Sequence, residues 1–165
     1  LDTLALAKIN GLPLSQSDRR MLAQMYAKRG IPERAAIEIS ELDGAQTDVQ
    51  LLSEQATYWQ LAKEWDKSLS IWKLAAEKDA KYNWSVAQLM VQQGYYKDSL
   101  SVLDKVKGRD ADVALAKTRA LYKLNLLEKA LVQAKRANNI EPSSQAKSWI
   151  KYLSQLRAVA QQTTG

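Results

Sequence analysis

With no His and no Cys in the chain, catalysis would have to rest on carboxylate pairs or on Lys. That removes a Ser-His-Asp triad, a Cys-His pair, thiolate or His-ligated zinc, and disulfides. The candidate carboxylates Glu38, Glu41 and Glu54 are spaced along helical stretches among polar neighbours, which predicts exposed surface. Asp110 and Asp112 stand just before a helical stretch and read as an N-cap and a first-turn acid matched to the helix dipole. The six glycines stand singly, so there is no phosphate-cradling loop. The aromatic rings are a second resource: five Trp and seven Tyr. Tyr26, Trp59 and Trp72 fall at expected core positions. Trp84 is different, because it sits one step off the apolar face carried by Val86, Ala87 and Met90. No catalytic residue, metal or cofactor is expected, and the reading is not an enzyme.

The elements that must position these rings are all helical. The chain has 165 residues, three prolines and no strand-period alternation beyond a few residues. No run of about 18 apolar residues occurs, so no membrane insertion is expected in this segment. No charged n-region leads into an apolar stretch at the start, and the sequence opens on Leu1. The expectation is that further chain precedes it and carries any signal or anchor. Net charge is +6, and the basic residues are scattered. The densest group, Lys129, Lys135 and Arg136, is interrupted at helical spacing and reads as a solvated helix face.

One pattern recurs four times. A small residue is followed three places later by an aromatic or long apolar residue, then a turn, then a second small residue. The copies are Ala23-Tyr26-Gly30-Ala35, Ala56-Trp59-Lys63-Ser68, Ala87-Met90-Gly94-Ser99 and Thr118-Leu121-Asn125-Ala130. The turn positions are 33, 31 and 31 residues apart. A period in the low thirties with two helices per period predicts stacked helical hairpins, none of which can bury its apolar face alone. The expected helix starts are Ser17, Asp48, Asn83, Asp110 or Asp112, and Ser143-Ser144.

This arrangement resembles the tetratricopeptide repeat (TPR). The closest stretch is 124–142 (LNLLEKALVQAKRANNIEP), with Leu127, Ala130, Ala134, Ala137 and Pro142 at the family's positions. The resemblance implies an all-α, right-handed superhelical α-solenoid of TPR-like helix-turn-helix repeats with a C-terminal capping helix. Residues 1–14 would be the second helix of a truncated repeat. Repeats would span 15–47, 48–80, 81–109 and 110–142, with a capping helix at 143–160 and a frayed polar tail at 161–165, the whole forming one solenoid.

In TPR arrays the first helix of each repeat lines a concave groove. That implies a partner-binding lining of Arg20, Gln24, Thr57, Gln60, Trp84, Gln88, Arg119 and Tyr122, with Ser53, Val91 and Leu115 beside them. Amides suit a peptide backbone, and aromatic rings anchor its side chains. The implied function is a protein-protein interaction scaffold for a protein or peptide partner. The alternatives are a structural or self-association segment and, less favoured with only Arg20 and Arg119 in the groove, a basic repeat binding nucleic acid. Segments 58–72, 86–94 and 146–153 are also similar to TPR proteins found alongside the TonB energy-transduction system of Gram-negative bacteria. That similarity implies a periplasmic location and an accessory role in uptake; without it the expectation is cytoplasmic.

Overall fold

The computed structural model describes residues 2–164. Leu1, at the head of the truncated-repeat helix, and Gly165, at the end of the polar tail, lie outside the described residues. Among the described residues there are ten α-helices, one short 3-10 turn and no strand. The chain divides into two compact units, Leu1–Tyr82 and Asn83–Gly165. Unit 1 holds α1 (Asp2–Ile9), α2 (Gln16–Lys28), α3 (Pro32–Ser40), α4 (Val49–Leu61), α5 (Trp65–Lys78) and the 3-10 turn Ala80–Tyr82. Unit 2 holds α6 (Asn83–Gln93), α7 (Tyr96–Leu103), α8 (Asp110–Lys123), α9 (Leu127–Ile140) and α10 (Ser144–Thr164).

The recurring sequence pattern is a recurring backbone. Gly30, Lys63, Gly94 and Asn125 all adopt left-handed φ, at 75°, 60°, 87° and 62°. The residue after each donates its N–H back to the carbonyl five positions earlier. These bonds are Ile31 to Tyr26 (2.9 Å), Glu64 to Trp59 (2.9 Å), Tyr95 to Met90 (2.8 Å) and Leu126 to Leu121 (2.9 Å). This is the Schellman closure of a helix C-terminus, and it aims the next helix back along the first. The small residues explain how closely the pair can pack. Ala23, Ala56, Ala87 and Thr118 on the first helices, and Ala35, Ser68, Ser99 and Ala130 on the second, are all 0% exposed. A side chain no longer than a hydroxymethyl there lets the backbones approach. In one hairpin the contact is direct: Ser68 Oγ donates to the Ala56 carbonyl at 2.8 Å.

Lys63 holds this left-handed turn without glycine's freedom, and the strain predicts a gain. Lys63→Gly should raise unfolding free energy by about 0.5–1 kcal/mol, the relief of left-handed strain less glycine's larger unfolded-state freedom. A urea midpoint that stays level or falls would refute this account of the turn.

Several helix starts differ from expectation. Ser15, not Ser17, caps α2, its Oγ accepting from Asp18 N at 3.0 Å. Asn83 does not cap α6; it is already helical, because the 3-10 turn delivers the chain straight into that helix. Neither Asp110 nor Asp112 caps α8: Arg109 occupies the N-cap with no side-chain bond, and both acids lie in the first turn. Asp48 and Ser143 do cap, accepting from Gln50 N at 2.8 Å and Ala146 N at 3.0 Å. The end of the chain is helical through Thr164, where fraying was expected, since Ala158, Ala160, Gln161 and Gln162 are all sound helix formers.

The largest correction concerns Glu38. It was expected on the surface and is 2% exposed. Lys8 of α1 reaches it across the sequence, and Arg19 of α2 lies 3.9 Å from its other oxygen. Lys8 also pairs with Glu41 at 3.3 Å, and Arg19 pairs with Glu41. A carboxylate on an apolar helix face is buried only where cations from neighbouring helices meet it.

Candidate partner-binding groove

In unit 2 the first helices of successive hairpins, α6 and α8, and the terminal α10 share a groove of about 520 Å³. From α6 come Trp84, Gln88, Val91 and Gln92, one stripe at i, i+4, i+7 and i+8. From α8 come Asp112, Leu115, Ala116 and Arg119, again one stripe. Gln145 and Trp149 of α10 complete the lining. Three of the eight expected residues, Trp84, Gln88 and Arg119, are therefore brought together, with the neighbouring Val91 and Leu115.

Tyr122 does not line this groove. It stands edge-on to Trp149 and to Tyr152, with ring centroids at 5.5 and 5.6 Å. The Tyr122 and Tyr152 hydroxyls are 2.9 Å apart. That hydrogen bond, with a smaller contribution from desolvation, pushes the Tyr152 phenol above its ordinary value of 10.0. Tyr122 thus braces Trp149, which packs against the core of unit 2 and presents part of its ring to the groove.

Four polar groups of this lining, one guanidinium and three amides, are free. Among the described residues, the Arg119 guanidinium has no carboxylate within 4.0 Å, and the amides of Gln88, Gln92 and Gln145 have no hydrogen-bond partner. Asp112 is the one acid in the lining, and Arg109 lies 3.9 Å from it. The same Arg109 guanidinium stands 5.5 Å from the Trp84 ring. Helix α8 places its other two cations elsewhere: Lys117 donates to Asp104 at 2.6 Å, and the Lys123 ammonium lies 5.9 Å from the centre of the Tyr122 ring.

The four expected residues of unit 1 are in a different state. Arg20 donates to Glu54 at 2.5 Å, bridging α2 and α4. Thr57 Oγ1 donates to the carbonyl of Ser53 in its own helix at 2.7 Å. Gln60 Oε1 accepts from the indole N–H of Trp72 at 3.0 Å. Only Gln24 remains exposed and unbonded. Gln24, Thr57, Gln88 and Arg119 occupy the same place in their hairpins, six residues before the left-handed turn residue. The same position is thus open in unit 2, while the polar groups beside it in unit 1 are already used.

Sequence reasoning missed Gln92, Asp112, Ala116, Gln145 and Trp149. Gln92, Asp112 and Ala116 could have been found by extending the stripes through Gln88 and Arg119 by one turn. Gln145 and Trp149 could not, since α10 lies outside the four-fold repeat and no repeat position sets its register. Among the described residues no helix is long and apolar enough to cross a membrane, and no cluster of three or more acidic side chains could hold a metal ion.

The fold resembles solved structures of MamA, a tetratricopeptide-repeat protein. Against MamA (41-end) from Desulfovibrio magneticus RS-1 the TM-score is 0.72 at 16% identity, covering 87% of this chain and 85% of that one. Against MamA of MSR-1 it is 0.69 at 18% identity, covering 87% of each. Against MamA of AMB-1 it is 0.69 at 16% identity, covering 87% and 82%. No family model matches the sequence, and no curated protein matches it. At these identities the likeness carries the fold, an all-α TPR-like solenoid of helix-turn-helix repeats, and nothing about partners.

Proposed function

We propose that this chain is a protein-protein interaction scaffold and that the groove of α6, α8 and α10 docks a peptide segment of its partner. A TPR-like fold supports an interaction role in general. The observation that carries the specific reading is the free lining: one guanidinium and three amides, all unbonded, set between Trp84 and Trp149. Unbonded amides can satisfy a peptide backbone, and indole rings supply large contact area at little entropic cost. The lining projects from packed helices, so it is ordered before binding and loses little on docking.

The similarity to TPR proteins of TonB systems makes an accessory role in periplasmic uptake the setting to examine first. The test is retention of proteins from a Gram-negative periplasmic extract on the wild-type chain and on a Trp84→Ala, Arg119→Ala double variant of unchanged circular dichroism. A discrete protein held by wild type should bind the double variant at least roughly thirtyfold more weakly, the effect of removing about 2 kcal/mol of anchor contacts. Equal retention by both would move the contact to another surface.

Self-association is a second reading, favoured by one observation. Leu6, Ile9 and Leu12, on α1 and the turn after it, are large, apolar and exposed. Light scattering that rises in apparent mass with concentration, and does so less in Leu6→Ser, Ile9→Ser, would support it.

A further inference from the structure

We propose that the unit 2 groove selects an acidic segment, with a carboxylate held by Arg119 and a neighbouring apolar side chain seated against Trp84 and Trp149. The inference rests on the docking reading above and names the chemistry of the occupant.

Charge is divided unevenly between the two units. Unit 1 carries 11 Lys and Arg against 12 Asp and Glu, whereas unit 2 carries 13 against 6. The whole positive excess of the chain therefore belongs to the unit with the open groove. A field of that sign raises the encounter rate with anionic segments before any contact forms.

The local arrangement continues the same sign. In unit 1 the groove-register cation Arg20 is already bound by Glu54. In unit 2 Arg119 is exposed and unpaired, and the only acid lining the groove faces Arg109. An unpaired guanidinium presents a planar fork that fits a carboxylate with two parallel bonds. Gln88, Gln92 and Gln145 can then bond the backbone on either side of that carboxylate.

A nucleic-acid strand fits less well, because it needs a row of cations along its phosphates and the groove supplies one. A groove of about 520 Å³ has room for more than one side chain and suits an acid beside a leucine or an aromatic ring.

The test uses the full chain and fluorescence anisotropy of labelled probes. One peptide contains Glu, Asp and Leu with both ends blocked, so that no terminal carboxylate contributes. A second replaces its acids with Lys, and the third probe is single-stranded DNA. The acidic peptide should bind saturably and more weakly as salt rises. Arg119→Glu should weaken it roughly tenfold or more, and Arg119→Lys should restore part of the loss. Gln24→Glu, at the matching place in unit 1, should leave it within about twofold. Equal binding of the Lys peptide, a silent Arg119→Glu, tighter binding of DNA, or no saturable binding of the acidic peptide would each overturn the proposal. If Trp84→Ala still abolishes binding of the Lys peptide, the groove reading survives and the acidic preference alone fails. If Trp84→Ala is also silent, both fail.

Discussion

Leu153→Ala is expected to remove about 2–5 kcal/mol of unfolding free energy, measured by urea denaturation at neutral pH. Leu153 is 0% exposed and packs with Leu121, Ala130, Leu131 and Ala134 of α8 and α9. Truncation deletes three carbons and leaves a cavity between three helices, whose backbones are fixed by their turns and cannot easily collapse into it. The substitution separates two views of the C-terminal helix. A detachable cap would lose Leu153 at little cost. A helix that completes the core of unit 2 would not. Lys151→Ala, two residues away and exposed, should stay within about 0.5 kcal/mol of wild type and controls for helix propensity. A Leu153→Ala cost below about 1 kcal/mol would return α10 to the status of a loosely attached cap.

How much of this was legible in the sequence depends on whether the backbone or a distant side chain set the requirement. Lys63 and Asn125 were read as turn residues without being glycine, from repeat position alone. Both take left-handed φ, because every hairpin needs the same closure. The buried small residues followed for the same reason: the helix crossing repeats, so its steric demand repeats. Trp84 and Arg119 line one groove because that same period repeats the face on which they stand. Glu38 was misjudged because its burial depends on Lys8, 30 residues away, and on Arg19 from a different helix. No local pattern encodes that meeting. Arg20 and Gln60 show the converse. Their groove-register positions were legible, but Glu54 and Trp72 had already engaged their polar groups, a matter of tertiary geometry. Local repeats thus reveal where a side chain stands, and only the packed structure reveals whether it is still available.

Breaking the Lys8–Glu38 pair from the Lys8 side is expected to be the second large effect. Helix α1 has no fully buried side chain among the described residues, only half-buried ones such as Leu4 and Ala7, so this charge cluster is a large part of what ties it down. Lys8→Met would leave Glu38 buried with Arg19 at 3.9 Å as its remaining cation and with Oε2 still lacking a hydrogen bond. Losing one partner of a buried pair costs about 3–5 kcal/mol, but Lys8 is 35% exposed and partly screened, so about 2–3 kcal/mol is expected. The cost has a second possible outlet, release of α1 into solvent, which hydrogen exchange resolves. Protection should fall in α1 before it falls in α3. The double change Lys8→Met, Glu38→Met should be milder than Lys8→Met alone, since it removes the stranded charge together with its partner. The pH dependence follows from Lys8. Desolvation acts to lower its pKa, and the hydrogen bonds and charges of Glu38 and Glu41 together overcome it, holding the ammonium above 10.5. A raised folded value means that this stabilisation is fully present below 10.5 and is lost as pH rises through the folded value. The wild-type chain should therefore lose α1 protection on the alkaline side of that window, and Lys8→Met should show no such step. A double variant less stable than Lys8→Met would mean that Arg19 alone suffices to hold the Glu38 carboxylate, and that α1 is attached by something other than this pair.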